Sequence, residues 1–146
     1  MAVALEGGGR SVLVTGAGDA TYSPDGSRLA LVVLGRPRTL HTLSGDVTYR
    51  DTELAVAAAD GSGMRKLTRT EGLEEGPQWD PSGQRLVYVQ LPIPGSEAHF
   101  LGMGDSIMEI NADGSCEKQV LSEPRAILYG ATWQPGSGRE AGPIAC

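Results

Sequence analysis

Two hairpin motifs alternate along this chain, and their alternation restricts the fold more than any other feature. Residues 22–32, YSPDGSRLALV, align without a gap on residues 79–89, WDPSGQRLVYV, at an offset of 57. A third copy begins at residue 133, as WQPGSGREA, and then decays. The second motif aligns residues 54–68, LAVAAADGSGMRKLT, with residues 107–121, IMEINADGSCEKQVL, at an offset of 53. A further step of 53 reaches the first fifteen residues, MAVALEGGGRSVLVT. Self-similarity at such a period marks a repeat architecture.

Each motif reads as a β-hairpin. In the first, Pro-Asp-Gly or Pro-Ser-Gly forms a tight turn between short apolar strands, because proline presets φ and glycine accepts a positive φ. In the second, Ala-Asp-Gly-Ser does the same, and Glu-Gly-Gly-Gly does so near the start. The aspartates of these motifs are therefore turn residues, not ligands or catalysts. One unit comprises strands A, B, C and D, with tight A–B and C–D turns and a long B–C connection. Four-stranded antiparallel units repeating every ~40–55 residues are propeller blades. The 21 glycines and 9 prolines suit short strands and tight turns better than long helices.

In alternation over nearly the whole chain, YSPDGSRLA and NADGS resemble the blades of TolB-like β-propellers, a WD-like repeat family. The resemblance implies an all-β fold of four-stranded antiparallel blades and a ring of about six of them. It also implies an interaction module of the bacterial envelope. Residues 1–15 read as strands C and D of a split blade, 19–69 and 75–121 as whole blades, and 128–146 as strands A and B of a split blade. That makes about three blade equivalents in a single partial propeller domain. Two ways of closing the ring stay open. Two chains could complete each other's split blade in a six-bladed homodimer, which would cover the open sheet edges. Alternatively, the chain is a piece of a longer propeller. Glu140, Gly142 and Pro143 fit poorly in the last expected strand.

A competing reading of residues 11–26, SVLVTGAGDATYSPDG, is the phosphate loop of a nucleotide-binding unit. That fingerprint needs a third glycine and a helix opening on the phosphates. Thr21 and Tyr22 stand where the glycine belongs, and Pro24 and Gly26 interrupt the helix. No dinucleotide or other cofactor is expected. SVLVT ends one blade as strand D, and DATYS opens the next as strand A.

The formal charge of −6 argues against a nucleic-acid partner. No basic run suggests a membrane surface, and no apolar run reaches the ~20 residues of a spanning helix. Cys116 and Cys146 form no metal-type pair and are read as free thiols. The first ten residues lack a basic n-region. The expected location is the cytoplasm for the chain as written, or the periplasm or cell envelope for a piece of a longer protein.

In a propeller the B–C and D–A connections share one face, and the A–B and C–D turns share the other. The long connections are residues 35–51, GRPRTLHTLSGDVTYRD, and 92–105, PIPGSEAHFLGMGD. Long loops on a rigid scaffold are where binding concentrates. His41, Asp46, Tyr49, Asp51, His99, Phe100 and Asp105 are the candidate binding residues. A histidine–carboxylate metal or acid–base site would need ligand spacings such as H-x-x-x-H or H-E-x-x-H, and none is present. Phe100, Leu101 and Met103 either pack back on the core or form a contact patch. Tyr22, Trp79 and Trp133 recur before the prolines and read as core between blades. Arg28, Arg85 and Arg139 recur after the turn and are expected to bond to backbone or to the turn carboxylate. No G-x-S-x-G elbow and no cysteine in a nucleophile setting is present. The expected function is thus a non-enzymatic scaffold that binds a protein or peptide through the long-loop face, with no catalytic residue and no metal. Two alternatives are the gating propeller of a prolyl-oligopeptidase-type serine peptidase and a small-ligand or metal-binding ring.

Overall fold

The computed structural model describes residues 2–6, 9–101, 104–123, 127–133 and 142–146. Among these described residues, ten strands make three antiparallel sheets. β1 (Ala2–Glu6) pairs with β2 (Gly9–Val14). A four-stranded meander follows: β3 (Ala17–Tyr22), β4 (Arg28–Thr42), β5 (Gly45–Ala58) and the short β6 (Arg65–Lys66). A second meander has β7 (Leu73–Trp79), β8 (Arg85–Leu91), β9 (Asp105–Asn111) and β10 (Lys118–Glu123). Among the described residues no helix is long and apolar enough to cross a membrane.

The middle strands of the first meander carry nearly unbroken apolar runs because both faces of that sheet are buried. Successive side chains of a strand point to opposite faces. Leu29, Leu31, Val33, Ala55 and Ala57 pack with Ala17 and against Leu13 and Val14 of β2. The intervening residues Ala30, Leu54 and Val56 pack with Trp79, Leu86, Tyr88 and Ile110 of the second meander. One sheet therefore feeds two cores, which is how a blade sits between neighbours in a propeller. At the A–B turns, Gly26 and Gly83 both adopt the left-handed backbone, with φ of 71° and 69°.

The repeated aromatic and arginine positions meet across the blade boundary. Arg28 lies 4.7 Å from the ring centre of Trp79, and Arg85 lies 4.7 Å from that of Trp133. The indole N–H groups of Trp79 and Trp133 donate to the carbonyls of Thr21 and Gln78. Arg28 also donates to the Gly83 carbonyl, and Arg85 pairs with Asp80 and Glu109. Each arginine thus clamps its own blade to the aromatic residue of the next.

Three sequence expectations are corrected. Residues 35–51 are not a loop: β4 and β5 stay paired out to His41↔Asp46 and Thr42↔Gly45. Thr39 opposite Thr48 and Leu40 opposite Val47 supply β-forming pairs, although the segment is too polar to read as strand. The register shifts between Leu34 and Pro37, where proline brings no N–H to the ladder. Residues 127–133 form no strand; instead the Leu128 N–H donates to Asp105, and Trp133 anchors the segment by its indole. Of the expected final strand, residues 139–141 lie outside the described residues, and 142–146 are irregular. Cys116 and Cys146 are not free thiols but a disulfide, 30 residues apart with Cα atoms 5.1 Å apart. Nothing in their spacing points to the pairing. The fold brings the tail to the C–D turn, where Ile144 exchanges two hydrogen bonds with the Asn111 side chain.

Candidate functional site

The two long B–C connections lie on one face, and they differ in construction. The first is a two-stranded ribbon, the outer part of β4 and β5, with Leu43 fully exposed at its tip. The second carries one short helix, α1 (Glu97–Phe100), capped by Ser96, whose hydroxyl accepts from the His99 N–H. The two meet where Val47 of the ribbon packs against the backbone of Gly95, which is buried and has φ of 82°.

The expected binding residues distribute as follows. His41 and Asp46 face each other near the ribbon tip, with Nδ1 2.7 Å from the carboxylate, both largely exposed. Tyr49 donates its hydroxyl to the Glu71 carbonyl, and burial pushes its pKa up. Asp51 is buried at the ribbon base, where one oxygen accepts from Arg38 Nε at 2.9 Å. Its other oxygen has no hydrogen-bond partner among the described residues and lies where a Cβ on Gly35 would fall. Only glycine leaves room there. His99 lies in the short helix of the second connection, with Nδ1 near the Gly95 N–H. Asp105 is buried and accepts from the Leu128 N–H, so it ties residues 127–133 to β9. The backbone of Phe100 ends the helix. His41, Asp46, Tyr49 and Asp51 therefore share the ribbon, whereas Asp105 serves the fold. Among the described residues no three of His, Cys, Asp and Glu gather to hold a metal ion.

Beside the ribbon base lies a cleft of about 380 Å³ lined by Arg36, Arg38, Glu53, Lys66, Arg69 and Thr70. Lys66 sits opposite Ala55 in the ladder, which brings it diagonal to Glu53 on the same face. Its ammonium lies 2.5 Å from Glu53 Oε2, an oxygen that lacks hydrogen-bond alignment, so charge attraction holds this pair. Arg38 reaches Glu71 as well as Asp51. Its bond to Asp51 raises its pKa, and Glu71 adds to the effect. Behind the cleft, Glu74 is buried and accepts hydrogen bonds from Thr68, Thr70 and the Leu54 N–H. Burial pushes its carboxyl pKa up, and those bonds offset part of the rise.

Sequence reasoning missed this cleft. Arg36 and Arg38 stand two apart in the sequence, but strand pairing and the D–A connection bring Lys66 and Arg69 to them. A depression on the opposite face, of about 420 Å³, includes Arg28 and Arg65. There both arginines are already bonded to backbone carbonyls of Gly83, Ala112 and Asp113.

Stacked four-stranded antiparallel meanders with shared cores define the class as a β-propeller. Neither a family model nor a curated protein matches the chain. A solved structure from Agrobacterium tumefaciens, assigned as a TolB, aligns over 83% of this chain and 41% of its own, with a TM-score of 0.59 and 17% identity. An oligogalacturonate lyase in complex with manganese aligns over 80% of this chain and 28% of its own, with a TM-score of 0.49 and 25% identity. The first alignment shows the fold: these are TolB-like propeller blades. The chain spans about two fifths of that neighbour's length.

Proposed function

We propose that this chain is a non-enzymatic propeller scaffold that binds a protein or peptide on the face of its B–C connections. The observation that carries the reading is the ribbon: it projects beyond the blade, is braced by Val47 against Gly95, and ends in the fully exposed Leu43. A projecting connection braced on a rigid scaffold is where contacts with partners concentrate. The Cys116–Cys146 bond fits an oxidising compartment, so we assign the periplasm or cell envelope as its location. The test is a peptide-display selection on the chain and on a variant whose residues 39–48 are replaced by a short turn. Selected peptides should lose the variant and keep the parent. Peptides that bind both equally would refute the reading.

A second copy of the chain is the further partner we propose. Tyr22 occupies the position equivalent to Trp79, yet it is 48% exposed where Trp79 is 8% exposed beneath Arg28. A blade edge packed before Tyr22 would cover it as Arg28 covers Trp79, and a second chain supplies that edge. Light scattering should give twice the chain mass; a monomer at all concentrations would refute this assembly.

A further inference from the structure

We propose that the cleft formed by Arg36, Arg38, Lys66 and Arg69 binds the carboxylates of an acidic peptide segment. The choice of a peptide rests on the binding function proposed above; the choice of an anion rests on the cleft alone. Four cations and one carboxylate line it, in a chain whose formal charge is −6. Two of the cations are committed: Lys66 to Glu53, and Arg38 to Asp51 and Glu71. Arg36 and Arg69 have no hydrogen-bond or ion-pair partner among the described residues.

Both unpaired arginines are held at their backbones. Arg36 sits in the irregular register between Leu34 and Pro37, and a residue before proline is confined to extended backbone. Arg69 lies between Thr68 and Thr70, whose hydroxyls both donate to the buried Glu74. That double tether fixes the base from which Arg69 projects, so Glu74 is a positioning residue for the cleft. A guanidinium presents a planar fork of donors that matches a carboxylate in two parallel hydrogen bonds. Glu53, Asp51 and Glu71 offset the charge of Lys66 and Arg38, which leaves that of Arg36 and Arg69 for an incoming anion. The acidic remainder of the chain repels an extended polyanion, whereas a short acidic segment experiences mainly the local field within a Debye length. The cleft's volume lies at the small end for ligand sites, which suits a few side chains.

The test uses fluorescein-labelled hexaglutamate, read by fluorescence anisotropy, with hexalysine as control. Hexaglutamate should bind the parent chain, weaken with added salt, and weaken about tenfold or more in the Arg36→Ala/Arg69→Ala double variant. That variant should keep the parental melting temperature, since neither side chain has a partner to lose. Equal binding by parent and variant, or binding that added salt leaves unchanged, would overturn the proposal. The ribbon-shortened chain retains all four cations and should still bind hexaglutamate. Arginine-dependent hexaglutamate binding without any ribbon-dependent selected peptide would sustain the cleft while the ribbon reading fails. Ribbon-dependent peptides without hexaglutamate binding would overturn the cleft alone.

Discussion

At the scale of single residues, the repeated aspartates act through their hydrogen bonds. Asp25 accepts from the Ser23 and Ser27 hydroxyls and the Ser27 N–H, which hold its pKa down at about 2. Asp60 and Asp113 are lowered chiefly by bonds from Ser62 and Ser115. Burial would raise Asp80, but bonds from Ser82, Arg85 and Gln84 outweigh it and leave it lowered. These groups stabilise the fold above the ordinary aspartate value of 3.8, and the contribution is lost as pH falls through their lower folded values. Asp80 is the buried member, so Asp80→Asn should cost about 2 kcal/mol in denaturant unfolding near neutral pH, the worth of a charged hydrogen bond. Glu74 has the opposite sign. Its pKa is raised above 4.5, so its contribution is full below that value and is lost as pH rises through the folded one. A plot of melting temperature against pH should fall less on its alkaline side in Glu74→Gln than in the parent.

At the scale of elements, legibility followed hydrophobic patterning. The runs ending each A–B turn are apolar and repeat, so β3, β4, β7 and β8 could be placed from the motifs, and the alternation set their order. The ribbon could not be recognised because residues 36–50 are mostly polar and contain Pro37. Its threonines and the Ser44-Gly45 turn were the available signal. The cysteine pair was hidden for a different reason: its partners meet only after the tail folds onto Asn111. The cleft was hidden because its cations come from β4, β6 and the D–A connection. Gly95 decides how the ribbon sits. A Cβ there would lie 3.1 Å from Val47 on a backbone with φ of 82°. Gly95→Ala should therefore loosen the ribbon from the second connection, seen as faster amide exchange across residues 39–49 with the exchange of β8 unchanged.

At the scale of the whole molecule, the two faces have different uses. The A–B and C–D turns repeat one design: their aspartates close their own turns, and Arg28 and Arg65 reach backbone carbonyls of the next blade. The B–C face carries the ribbon, the short helix and a cleft with two uncommitted arginines. The division follows from the repeat: identical turns satisfy one another, whereas connections free of that duty vary in length and charge. The central claim is that partners engage the variable face. Hydrogen–deuterium exchange on the chain with and without a selected peptide tests it most directly. Protection should appear in residues 36–50, 66–71 and 92–101. Protection confined to the turns at 24–27, 59–63, 81–84 and 112–115 would contradict the account.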